Sequence, residues 1–124
     1  MKSLVAASFL LFATGCALLE SEQDTIEVKV SNETQMRFTQ VVLNLGGSDE
    51  DAVRFGNLLP GDRTPLRAVR HAFQHYTVHA ETEGRELVFA VNAFVAIALE
   101  PGRYTYRLTI DEEGRLIVNR TREP

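Results

Sequence analysis

The sequence predicts an all-β domain, an antiparallel β-sandwich of seven to nine short strands. Two observations carry this reading. Apolar and polar residues alternate over short runs, as in Thr25–Ser31 and Arg103–Ile110, which is the two-residue period of a half-buried strand. Turn-forming pairs such as Asn32-Glu33, Pro60-Gly61, Glu83-Gly84 and Pro101-Gly102 separate those runs, as sandwich connections require. The 124 residues are 44% hydrophobic and 24% charged, values of one globular domain and not of a disordered or polytopic membrane chain.

Each strand has its own signature. Ile26, Val28 and Val30 share one face of the first run. Met36 and Phe38 then share one parity and Val41, Leu43 and Leu45 the other, which predicts a β-bulge near Thr39-Gln40 or two short strands. Val53 and Phe55 form a short strand that ends before the Pro60-Gly61-Asp62 turn. Pro65 marks the next segment as a connection or an edge strand. From Ala68 to Glu81 both a strand and a helix fit the spacing; β-branched and aromatic content and missing helix caps favour a strand. On that strand Ala72, Tyr76, Val78 and Ala80 face one way, and His71, Phe73, His75, Thr77 and His79 the other. Leu87–Val91 is apolar on both faces and reads as a central strand. Tyr104, Tyr106, Leu108 and Ile110 point inward from the clearest strand, which turns through Asp111–Gly114 into Arg115–Asn119.

The N-terminus is of another kind. Lys2 precedes an apolar run from Leu4 to Ala13, followed by Thr14-Gly15-Cys16. This is the three-part layout of an export signal, and the run is well short of the ~20 residues that a spanning helix needs. Cys16 is the only cysteine. The stretch Phe12-Ala13-Thr14-Gly15-Cys16 resembles the bacterial lipobox, with Ala13 where leucine is preferred. The resemblance implies cleavage between Gly15 and Cys16, diacylation of Cys16, and, because Ala17 follows it, sorting to the outer membrane. The organisation expected is therefore a signal over residues 1–15, an acylated cysteine and tether over 16–24, and the sandwich over 25–122. Removing the first 15 of 124 residues leaves 109, enough for one core without disulfides.

Two further strings, Phe55-Gly56-Asn57-Leu58-Leu59-Pro60-Gly61 and Leu99-Glu100-Pro101-Gly102-Arg103-Tyr104-Thr105-Tyr106-Arg107-Leu108, resemble a group of small uncharacterised bacterial lipoproteins. Their PG-x-Y-T element also recurs in prealbumin-like and immunoglobulin-like modules, so the resemblance implies such a sandwich and carries no catalytic residues.

Candidate chemistry is sparse. The formal net charge of -4 leaves no basic excess to neutralise phosphates, so no nucleic-acid partner is expected. His71, His75 and His79 recur every fourth residue; on a helix such neighbours lie ~6 Å apart and could share Zn or Cu, whereas four strand residues cover ~13 Å. The strand reading makes them a polar outer face, and a periplasmic metal-binding domain built on the histidine row is the alternative. Asp49-Glu50-Asp51 and Asp111-Glu112-Glu113 lack the alternation of a calcium loop. Gly-x-Ser-x-Gly, phosphate-loop and dinucleotide fingerprints are absent from the sequence. The expectation is a non-catalytic, lipid-anchored envelope module without cofactor. It would reach the membrane through its N-terminal lipid and have room for an envelope protein partner.

Overall fold

The computed structural model describes residues 25–46 and 49–124. Eight strands follow one another in these residues: β1 (Ile26–Asn32), β2 (Gln40–Asn44), β3 (Val53–Phe55), β4 (Arg67–Val69), β5 (Tyr76–Thr82), β6 (Arg85–Val91), β7 (Gly102–Ile110) and β8 (Leu116–Arg122). They form two four-stranded sheets, ordered β4-β1-β7-β8 and β3-β2-β5-β6. All pairs are antiparallel except β1 with β7, which run parallel from Ile26 beside Gly102 to Asn32 beside Leu108.

The sheets bury one face each, and the alternation seen in the sequence says which. Val28, Val30, Tyr106 and Leu108 of the first sheet meet Val41, Leu43, Val78 and Ala80 of the second. The Tyr76 and Tyr106 rings cross the interface edge to face, with centroids 5.1 Å apart, a favoured aromatic geometry. The Tyr106 hydroxyl is buried without a hydrogen-bond partner. Desolvation pushes its pKa up to about 12, with the charge of Arg120 pulling the other way. Arg67 of β4 stacks over Phe55 of β3, 4.9 Å from the ring centre, and so links the edges of the two sheets along one open side.

Of the two sequence readings of the parity change after Phe38, the bulge within one strand gives way to a break into separate segments, and two further expectations need correction. Phe38 makes an isolated bridge to Leu58, the chain bends at Thr39, and β2 begins at Gln40. Ala68–Glu81 is not one strand either: β4 ends at Val69, a connection covers residues 70–75, and β5 starts at Tyr76. Leu87–Val91 lies in an edge strand, because β6 pairs only with β5. Leu87 and Phe89 pack partly against the core, while Val88 and Val91 face out.

At the far end of β1, Asn32 is fully buried and organises the surrounding chain. Its amide nitrogen donates to the carbonyls of Met36 (2.8 Å), Leu59 (3.1 Å) and Leu58 (3.3 Å). Its side-chain oxygen accepts from the Thr34 amide at 3.0 Å and the Thr34 hydroxyl at 2.7 Å. The backbone of Asn32 also bonds to Asp62 and Gly61. The loop at Pro60-Gly61 is thereby fastened to the end of the first strand. Asn32→Ala would leave the buried Leu58 carbonyl and Thr34 groups without this partner and is expected to destabilise the domain by about 3 kcal/mol, measured by urea unfolding.

The outer face of the first sheet is a ladder of ion pairs. Arg107 grips Glu33 with two bonds, of 2.6 and 3.1 Å, and Lys29 meets Glu123 at 2.7 Å. The hydrogen bond from Arg107 holds the Glu33 carboxyl below its usual value, and that from Lys29 does the same for Glu123. Carboxylates whose pKa is lowered on folding add stability above their unfolded value and lose it as pH falls through the folded one. Thermal scans are expected to show stability declining as pH drops below 4.5, the ordinary value for these groups, and less steeply in Arg107→Gln.

Candidate functional site

Because β1 and β7 are parallel, both begin at the same end of the sandwich, and the Gly102 amide donates to the Thr25 carbonyl there at 3.2 Å. The chain therefore enters the domain beside the connection from β6 to β7. Residues 70–75, between β4 and β5, gather at this end too, as does the end of β2 at Asn44–Gly46.

These connections are joined to one another. Phe73 bridges Ala98, the Gln74 amide donates to Ile97, and the Leu99 amide donates to Ala72. The Phe73 amide donates to Leu45, drawing in the end of β2. Gly46 makes this approach possible: at φ 95°, a Cβ there would stand 2.7 Å from His75 Nε2 and 2.9 Å from Phe73.

Two arginines of β8 fasten the assembly from below. One Arg120 guanidinium nitrogen donates to the carbonyls of Phe73 (3.1 Å) and Gln74 (3.2 Å), and the group stacks over Tyr76 with its carbon 4.9 Å from the ring centre. Arg122 donates to the Pro101 carbonyl at 2.7 Å and to Glu100 Oε2 at 3.1 Å, while the Tyr104 hydroxyl donates to the Glu100 carbonyl at 2.7 Å. The base of the β6–β7 connection is thus held by charge-assisted bonds.

Above that base the connection exposes apolar side chains. Phe94 is wholly exposed, and Val95 and Ile97 are 68% and 50% exposed. Val88 and Val91 of β6 continue the surface; among the large hydrophobic residues exposed in the described residues, only Leu59 lies elsewhere. From Val91 to Leu99 the sequence has no charged residue. The run was legible as apolar, but not as exposed. The available signal was that it neither alternates nor repeats at helical spacing, and so offers no single face to bury.

The histidines are not brought together. His71 is exposed in the β4–β5 connection. His75, in the same connection, stacks on Phe73 with ring centroids 5.4 Å apart, and its Nδ1 is buried without a hydrogen bond. Only His79 lies on a strand, its Nδ1 3.1 Å from Glu86 Oε1 of β6. Among the described residues no group of three or more His, Cys, Asp or Glu side chains is placed to hold a metal ion. Gly15 and Cys16 lie outside the described residues.

No family model and no curated protein matches the chain. Among solved structures it is similar to the NMR structure of a protein from Eubacterium rectale, with a TM-score of 0.58 and 14% identity, over 82% of this chain and 92% of that one. At this identity the likeness is one of fold.

The arrangement identifies Arg120 as the fastening of this end. In Arg120→Ala, amide exchange at Gln74 and Leu99 is expected to quicken by roughly tenfold or more, with the β1–β7 ladder unchanged.

Proposed function

We propose that this chain is a lipid-anchored protein of the bacterial envelope, sorted to the outer membrane, whose sandwich is a non-catalytic binding or accessory module. The observation that carries this reading is Cys16, the only cysteine, set at the end of a ten-residue apolar run from Leu4 to Ala13 and behind two small or polar residues. Two acyl chains on one residue give stable anchoring where one does not. The surface supports contact as the module's work. Ion pairs such as Arg103 with Glu27 and Lys29 with Glu123 lie on the first sheet, whereas the exposed apolar residues concentrate on β6 and the connection after it. Such concentration marks an interaction surface.

The anchor is tested on the protein isolated from an expressing bacterium. Intact mass is expected to show a chain that begins at Cys16 and carries acyl groups, and Cys16→Ser is expected to leave the membrane fraction. A mature chain with an unmodified Cys16 overturns the proposal.

A further inference from the structure

We infer that the apolar tip of the β6–β7 connection, Phe94, Val95 and Ile97, enters the lipid bilayer, so that the sandwich docks end-on and not as a loosely tethered body. The inference rests on the Cys16 anchor proposed above.

Where the chain enters the fold points to this occupant. Thr25 is hydrogen-bonded to Gly102, the residue at which the β6–β7 connection ends. Eight residues, Ala17 to Asp24, separate Cys16 from Thr25, a reach of at most ~26–29 Å when fully extended. An anchored Cys16 therefore keeps the chain's point of entry within that reach of the bilayer; Leu59 and the Asp111–Gly114 turn lie at the opposite end of the sandwich.

The tip has the chemistry for that place. It is free of charge from Val91 to Leu99, and Phe94 has no cover at all. Apolar side chains with polar residues behind them settle about 5–10 Å into the boundary between headgroups and acyl chains. The groups at the base are engaged, Glu100 and Pro101 by Arg122 and the Ile97 carbonyl by Gln74, so the base holds its shape beneath the tip. Arg70 and His71 are exposed on the adjacent connection. The acidic turn at Asp49–Asp51 stands at the same end, so the attraction is apolar and not electrostatic. A protein partner would be free to sit anywhere around the domain; the bilayer is the one surface that the anchor holds against this tip.

The chain contains no tryptophan, so a single introduced indole reports its own surroundings. Phe94→Trp and, as the control at the opposite end, Leu59→Trp are prepared in the full acylated chain, in neutral phosphatidylcholine vesicles. Both positions are exposed, so neither change disturbs the core. The expected result is a blue-shifted Phe94→Trp emission, quenched by bromines on the acyl chains several-fold more strongly than that of Leu59→Trp and unchanged on diluting the protein in the vesicles. Equal quenching of the two, or a blue shift that disappears on dilution and so reports a second copy of the chain, overturns the inference while leaving the anchor in place. A missing acyl group on Cys16 is read separately, by mass, and removes the anchor itself.

Discussion

The parallel ladder between β1 and β7 is the pairing on which the rest of the structure depends. The other strand pairs are antiparallel. Pairing the first strand with the seventh makes β1 an interior strand, with β4 on its other side, and gives Val28 and Val30 a second sheet to face. It also decides what lies at each end of the sandwich. Parallel strands start together, so the entry of the chain and the connection before β7 have to be neighbours.

The two ends are held by different physics. At the far end of β1 a neutral amide does the work: the Asn32 side chain is fully buried, and each of its polar atoms must be answered by another. Its five side-chain contacts make it a rigid corner. At the entry end the fastening is cationic and half exposed, through Arg120 and Arg122. A guanidinium can stack on an aromatic ring while its edges serve two carbonyls, so two side chains bind two connections. The result is a firm base under an apolar tip, and the tip has no contacts of its own that would bury it.

Much of the fold could be read from the sequence, and the reason is the period of two. Ile26–Val30 and Tyr104–Leu108 each have one apolar face, and both were placed correctly, as was the hairpin through Asp111–Gly114. Where both faces are apolar the pattern loses its meaning. Leu87–Val91 reads as a central strand by composition, but strand order is a property of the sheet, and nothing within five residues tells β6 that it has one neighbour. The break at residues 70–75 was hidden because it contains neither glycine nor proline. With that break unseen, three histidines at regular spacing looked like one face of one element. The apolar residues of the entry end were visible as letters, yet exposure depends on how the connections around them close.

The register of the ladder also has a meaning in time. Glu27 and Arg103, which face each other across it, are 76 positions apart in the chain. The β1–β7 ladder cannot form until nearly the whole domain has been made, because the closing of so long a loop must precede any return from that pairing. A nascent chain of this topology stays open while its first strand waits for its seventh. That delay is a hazard in a crowded compartment. Under the export proposed above, the same delay would keep the chain open for passage through a membrane.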